Sequence, residues 1–182
     1  IYTIIKKKLK NKNITLRVRG EKWNMGSNSI HYIYMFCWIA NISPNENFKY
    51  KFNMTSYFKQ KRPGFFDLNG EISISNKKKE IINLISVNNK KKVFKSDANT
   101  SILISNNKEN WMIDDNSKKL FYNKKLIHQE KNFFQSIITK KIIDSLFKKN
   151  KIKLPSLQSV NNIQKKLLKI FSKKFKNYEK IT

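Results

Sequence analysis

The sequence contains few of the residues that cross-link a chain or turn it sharply. Its 182 residues include one cysteine, four glycines and three prolines. A single cysteine, Cys37, excludes an internal disulfide and a cysteine-based zinc cluster, and four glycines leave little material for a glycine-rich phosphate loop. The two histidines, His31 and His128, lack ligand-type spacing with Cys37. Asp114 and Asp115 could bind a divalent cation, but the pattern around them favours a strand that runs into a turn. We therefore expect no metal, no cofactor and no small-molecule substrate, and a protein that is not an enzyme.

Long apolar runs are also missing. The longest, residues 30–42, has about 13 residues, whereas a membrane-spanning helix needs about 20. We expect this run to be a buried core element, and no membrane span is predicted. Residues 1–13 lack the character of an organelle import presequence, and the first residue is Ile rather than Met, which indicates a trimmed start or an unusual start codon.

Acidic residues are scarce as well. There are 12 Asp and Glu against 39 Lys and Arg, which gives a formal net charge of +27 and a pI of about 10.1. Hydrophobic residues make up 39% of the chain and aromatic residues 13%, enough for the core of one domain with extensions. A compact body with this charge repels itself strongly. The charge therefore predicts a polyanionic partner, which could be RNA, DNA or an anionic membrane.

Arginine is rare among the cations. Arg17, Arg19 and Arg62 are the only arginines, and the abundance of Lys, Ile, Asn, Phe and Tyr is typical of an extremely A/T-rich genome. Because codon bias alone explains the lysines, the retained arginines carry more information. They are the first candidates for phosphate contacts, since a guanidinium group offers a rigid fork that lysine lacks.

Short alternating segments predict strands in the first two thirds of the chain. In residues 13–20 the apolar side chains and two arginines fall on opposite faces, which we interpret as an RNA-facing strand or an ordinary edge strand. Residues 48–58 alternate in the same way. Residues 59–67 form a basic Pro-Gly turn followed by two phenylalanines, a pattern that can hold single-stranded RNA or simply anchor a turn. Residues 70–127 show short strands separated by polar turns, typical of a small barrel or sandwich.

The hydrophobic period changes toward the C-terminus. Residues 129–150 repeat apolar side chains at helical spacing, and Ser156 is a suitable N-cap for a second, basic helix. The sequence thus predicts an α+β fold: a small β-meander body (barrel or sandwich) with a basic N-terminal arm and two C-terminal amphipathic helices. We divide the chain into an arm or strand over 1–24, a β-rich body over 25–127 and basic helices over 128–182.

The basic arm, the small β-rich body and the lysine-loaded helices together resemble the layout of an organelle-encoded ribosomal protein, a divergent mitochondrial one in particular. The resemblance implies a structural component of a mitochondrial ribosome in the matrix, which binds and stabilises rRNA through salt-sensitive phosphate contacts beside neighbouring ribosomal proteins. A plastid location is less favoured. Two different functions are also compatible with the sequence: another organellar RNA- or DNA-binding protein, and a basic accessory subunit of an inner-membrane complex.

The candidate nucleic-acid-binding residues are the three arginines and the lysines of the arm, the basic turn and the last helix. They are Arg17, Arg19, Arg62, Lys6, Lys7, Lys8, Lys10, Lys12, Lys22, Lys59, Lys61, Lys165, Lys166, Lys169, Lys173 and Lys174. No catalytic or metal-binding residue is predicted.

Overall fold

The computed structural model of the protein describes residues 1–9, 13–76, 79–87, 100–130, 139–140, 143–144, 147–148, 156–176 and 180–181. Three helices and eight strands are defined within these residues. In chain order they are α1 Tyr2–Lys8, β1 Thr15–Glu21, α2 Met25–Ala40, β2 Lys49–Lys59, β3 Phe66–Ser75, β4 Glu80–Val87, β5 Thr100–Ser105, β6 Asn110–Asp114, β7 Lys119–Tyr122, β8 Lys125–Gln129 and α3 Leu157–Ser172.

The strands form one mixed sheet in the order β2-β3-β4-β1-β5-β6-β7-β8. Strand β1 lies in the middle, parallel to β4 and antiparallel to β5. The other pairs among the described strands are antiparallel. Strands β2 and β8 lie at opposite edges, so the sheet is open and does not close into a barrel.

The main core lies on one face of this sheet. Successive side chains of a strand point to opposite faces, and in β1 the buried residues Leu16 and Val18 alternate with Arg17 and Arg19. Cross-strand register places Val18 in a continuous row of buried apolar side chains. The row contains Phe52, Ile72, Leu84, Val18, Ile102, Ile113 and Leu120.

Helix α3 covers part of this row because its apolar residues recur at helical spacing. Ile163, Leu167 and Phe171 are buried, whereas its lysines lie on the other side of the helix. The Phe171 ring lies 5.1 Å from the Phe52 ring, edge to face. The Ser156 side chain accepts a hydrogen bond from the backbone N–H of Ser159 at 3.3 Å, which confirms the predicted N-cap.

The predicted fold class is wrong, although many strand positions agree with the sequence patterns. The body is a wide, open, mixed sheet with helices, not a small barrel or sandwich. The N-terminal segment contributes α1 and the central strand β1, so β1 is not an edge strand. The apolar run at 30–42 belongs largely to α2, and none of the helices in the described ranges has the length and apolar character needed to span a membrane.

Two predicted elements lie largely outside the described residues. One of the short strands predicted within residues 70–127, at 92–96, falls there entirely, as does most of the predicted helix over 129–150. Within the latter, the described residues 139–140, 143–144 and 147 have helical backbone, and β8 extends to Gln129.

Candidate functional site

A large concave site on the described surface lies beside α1 and α2. Its cavity volume is about 1060 Å³, close to the upper limit of typical small-molecule sites. We call it the α1–α2 pocket. Its walls come from α1, from one side of α2 with the loop that follows, and from the β6–β7 turn. The lining residues are Tyr2, Lys6, Asn28, His31, Tyr32, Tyr34, Met35, Cys37, Trp38, Asn41, Ile42, Ser43, Pro44 and Asp115.

Helix α2 supplies most of the pocket wall. One side of the helix lines the pocket and the other side packs in the core. His31, Met35 and Trp38 recur at a helical spacing of three to four residues and line the pocket. Ile33 and Phe36 lie on the other side, in the core. Trp38 is 43% exposed, which is high for a side chain of its size and leaves its ring available to a ligand.

Lys6 is held at one wall of the pocket by Trp38. Its Nζ lies 4.1 Å from the centroid of the Trp38 ring and donates a hydrogen bond to the Trp38 carbonyl oxygen at 2.5 Å. A cation above an indole face is a favourable arrangement. This ammonium group therefore brings a positive charge to a wall that is otherwise aromatic.

Two pocket tyrosines have pKa values above the ordinary value of a phenol. Burial, followed by the negative charge of Asp115, raises the pKa of Tyr32 to about 12. The same two causes, in the same order, raise the pKa of Tyr2 further. Both phenols are protonated at neutral pH, as ordinary tyrosines also are, and can donate hydrogen bonds to a ligand oxygen.

The pocket also contains one buried thiol and one exposed imidazole. Burial raises the pKa of Cys37 to about 12, so this thiol is neutral and is a poor nucleophile. His31 is exposed at the pocket surface, and imidazole is the side chain suited to proton exchange near neutral pH. The arrangement can hold a small polar molecule between aromatic walls and exchange a proton with it at His31.

The sequence-predicted site residues do not converge on one surface. Arg17 is exposed and Arg19 half-buried on the sheet face opposite the core row, while Arg62 lies 4.0 Å above the Phe65 ring in the β2–β3 turn. Lys10 and Lys12 lie outside the described residues. The other predicted lysines are distributed among three regions. Lys6, Lys7 and Lys8 lie on α1, Lys22, Lys59 and Lys61 near the β2–β3 hairpin, and Lys165, Lys166, Lys169, Lys173 and Lys174 on or just after α3.

Most of the pocket was missed at the level of sequence. His31 and Asp115 were considered only as metal ligands, and Lys6 only as a phosphate contact. One signal in the sequence could have indicated the pocket. His31, Met35 and Trp38 are spaced three to four residues apart within an apolar run, so a helix would place these polar and aromatic side chains on one side. The described residues contain no cluster of three or more His, Cys, Asp or Glu side chains arranged to hold a metal.

A solved structure of another protein shares the fold of this chain. No family model and no curated protein match the chain. The fold is similar to that of a dehydrogenase, MviM, from Clostridium difficile, with a TM-score of 0.55 and 14% sequence identity. The match covers 94% of this chain and 58% of the dehydrogenase chain, so this chain spans little more than half the length of that protein. At 14% sequence identity, the similarity concerns the fold alone.

This likeness corrects the functional prediction. A structural component of a mitochondrial ribosome was expected, with an RNA- or DNA-binding protein or an inner-membrane subunit as alternatives. That prediction is wrong, because the chain has a mixed-sheet fold that is shared with a dehydrogenase rather than a small rRNA-binding body. A fold used by an enzyme also opposes the prediction that the chain is not an enzyme. The predicted partners, the mitochondrial location and the roles of the individual cations stay predictions.

The described residues do not fit a dinucleotide cofactor. Dinucleotide-binding domains have mostly parallel sheets and a glycine-rich turn that leaves the N-terminus of the following helix open for phosphate. Among the described strands, only β1 and β4 form a parallel pair. At the N-terminus of α2, the backbone N–H of Gly26 donates to the Asp67 carboxylate at 2.8 Å, and a carboxylate there repels a phosphate group.

Proposed function

We propose that this chain is the substrate-binding part of an oxidoreductase of the dehydrogenase type, with the α1–α2 pocket as its substrate site. The observation that carries the proposal is a pocket of about 1060 Å³ with aromatic walls, one lysine and one histidine, on a fold shared with a dehydrogenase. Few polar groups among apolar walls are typical of sites that orient a small molecule.

The partial coverage of the dehydrogenase supports the assignment of substrate binding and cofactor binding to different units. A match to 58% of that chain leaves a large part of it without a counterpart here. Because the start of α2 is blocked for phosphate by Asp67, the proposal assigns redox-cofactor binding to another unit, on the same protein or on a partner. The present chain contributes substrate recognition and proton handling.

Proton handling is assigned to His31. Oxidation of an alcohol requires a base for the hydroxyl proton, and reduction of a carbonyl requires an acid that returns it. His31 lies in the pocket wall, between the aromatic positions of α2. His128, the other histidine, lies on β8 and does not line the pocket.

Orientation of the substrate is assigned to the neutral phenols and to Lys6. The Tyr2 and Tyr32 hydroxyls are protonated at neutral pH, as phenols ordinarily are, so they can donate to oxygen atoms of the substrate. Lys6, fixed over the Trp38 ring, attracts a negatively charged or strongly polar group. The pocket therefore favours a small oxygen-rich molecule.

A binding experiment tests the proposal. Saturation-transfer NMR with a panel of hydroxy acids and polyols should identify at least one compound that binds the full chain. The Trp38→Ala variant should then lose about tenfold in affinity, from the lost ring contact and buried area. His128→Asn is the matched control for His31→Asn, and only the latter should alter the signals of the bound compound.

Two results would count against the proposal. One is a panel in which no compound binds. The other is a bound compound whose affinity is the same in the wild-type chain and in Trp38→Ala. In either case the pocket is not a substrate site, whatever the fold resembles.

A further inference from the structure

The α1–α2 pocket has two chemically different ends. Seven residues separate His31 from Trp38 on α2, nearly two helical turns, so both side chains lie on the same side of the helix and line the pocket. Lys6 of α1 lies against Trp38. We call the part around Lys6 and Trp38 the Lys6 end, and the part around His31 the His31 end.

The Lys6 end has an unbalanced positive charge. None of the ion pairs among the described residues includes Lys6. Its contacts there are the Trp38 carbonyl oxygen, 2.5 Å from Nζ, and the Trp38 ring, whose centroid is 4.1 Å from Nζ. An ammonium group has three N–H donors, so it can also bind a ligand oxygen. A carboxylate oxygen gains most from that bond because it is charged.

The His31 end contains an acid instead. Burial is the main cause of the raised pKa values of Tyr2 and Tyr32, and the charge of Asp115 is the second cause for each. The Asp115 carboxylate therefore lies near both phenols, and Tyr32 follows His31 in the chain. Asp115 accepts a hydrogen bond from Lys118 at 2.8 Å and can accept another from a ligand hydroxyl. A ligand carboxylate is repelled there, so this end suits a hydroxyl group.

The helix sets the distance between the two ends. Seven residues of an α-helix rise about 10 Å. The Lys6 ammonium binds a helical carbonyl, which points toward the C-terminus of α2, whereas the His31 side chain tilts toward the N-terminus. Even a ligand that lies between the two groups and hydrogen-bonds each at about 3 Å has its oxygen groups about 4 Å or more apart. Met35 lines the pocket between the ends, and its thioether side chain favours contact with carbon.

We infer, on the basis of the proposed function, that the substrate is a hydroxy acid whose hydroxyl is separated from its carboxylate by several methylene carbons. The carboxylate binds Lys6 beside the Trp38 ring, the methylene carbons lie over Met35, and the hydroxyl reaches His31. Acids with the hydroxyl on the carbon next to the carboxylate are too short to contact both ends. Neutral diols have no charge for Lys6.

Isothermal titration calorimetry of the full chain with three matched compounds tests the inference. They are 5-hydroxypentanoate, 2-hydroxypentanoate and 1,5-pentanediol, which share a five-carbon chain. At low salt, 5-hydroxypentanoate should bind about tenfold or more tightly than either of the others, because it alone bonds to both ends and carries a charge for Lys6. Its advantage over the diol should shrink in about 1 M salt, where the Debye length is about 3 Å.

Two variants assign the preference to Lys6. Lys6→Met keeps the apolar stem and removes the charge, so the affinities for 5-hydroxypentanoate and 1,5-pentanediol should become nearly equal. The affinity for the diol should stay as in the wild type, which a general disruption of the pocket would not allow. Lys7→Met is the matched control, since Lys7 is exposed on the same helix and does not line the pocket, and it should keep the wild-type preference.

Three results would overturn the inference while leaving the pocket as a substrate site. They are equal binding of the hydroxy acid and the diol to the wild type, a preference that persists in folded Lys6→Met, and 2-hydroxypentanoate as the tightest ligand. Binding of none of the three compounds also overturns it. The proposed function itself fails only if the wider panel of hydroxy acids and polyols contains no ligand either.

Discussion

The Asp67 carboxylate accepts a hydrogen bond from the backbone N–H of Gly26 at 2.8 Å. It also accepts one from its neighbour Leu68 at 2.6 Å. Asp67 belongs to β3 and is fully buried, so one side chain of the sheet holds the first turn of α2. The helix that forms most of the α1–α2 pocket is thereby fixed to the sheet at its N-terminus.

Burial of Asp67 makes stability depend on pH. Desolvation raises its pKa from 3.8 to about 6 although two backbone N–H groups oppose the shift. The folded state then binds more protons than the unfolded state between pH 4 and 6, so the contribution of this group to stability falls as pH rises through that window, by about 3 kcal/mol. Above about pH 6 it is constant.

Asp67→Asn should remove this dependence. Urea denaturation at a series of pH values is expected to show a smaller decrease in the free energy of unfolding from pH 4 to 6 than in the wild type. Asp144→Asn, at a half-exposed carboxylate paired with Lys140, is the control and should leave the profile nearly unchanged. An identical profile for Asp67→Asn and wild type would show that Asp67 is not responsible.

Gly70 permits two strands to approach closely at the β2–β3 bulge. Its φ is +148°, and an added Cβ would lie 2.1 Å from the Asn53 carbonyl oxygen, a backbone atom that cannot move aside easily. Gly64 also has a positive φ, +79°, but a Cβ there meets nothing within 4 Å. Gly70→Ala should therefore destabilise the protein by about 3 kcal/mol or more, and Gly64→Ala by about 1 kcal/mol. Chemical denaturation measures both, and equal losses would contradict the close approach.

The anchoring of α3 to the sheet depends on Phe171. This side chain is 1% exposed and its ring packs on Phe52. Phe171→Ala should destabilise the protein by about 3–5 kcal/mol because it leaves a cavity. Leu157→Ala removes an exposed side chain of the same helix and should change stability by less than about 0.5 kcal/mol. Thermal melts compare the two, and a mild effect of Phe171→Ala would mean that α3 does not pack as described.

Cys37 should be protected from thiol reagents in the folded state. It is 1% exposed, and burial raises its pKa to about 12, so at pH 7 only about one thiol in 10⁵ is ionised. Reaction with an aromatic disulfide reagent should be negligible in buffer and rapid in denaturant. Fast labelling without denaturant would contradict the burial of this side of α2.

Many of the strands and the N-cap of α3 could be predicted from the sequence, but helix α1 and the order of the strands could not. Alternation places Arg17 and Arg19 on one face of a strand, and that is observed, because the period of a strand is a local property. The neighbours of Val18, by contrast, are Leu84 and Ile102. Nothing in the pattern near Val18 indicates which distant strands those are, so a meander of sequential neighbours was expected instead.

The pocket was missed for a related reason. It combines α1, α2 and the β6–β7 turn, three segments that are distant in sequence. Residues 2–8 were assigned to a basic arm because of three consecutive lysines, although they form a helix whose Ile5 is buried.

A crystal structure of the chain with the tightest-binding hydroxy acid or polyol tests the central claim most directly. The proposed function predicts the compound in the α1–α2 pocket, against the Trp38 ring and within hydrogen-bonding distance of His31. A compound bound on another surface, with the pocket empty, would contradict it.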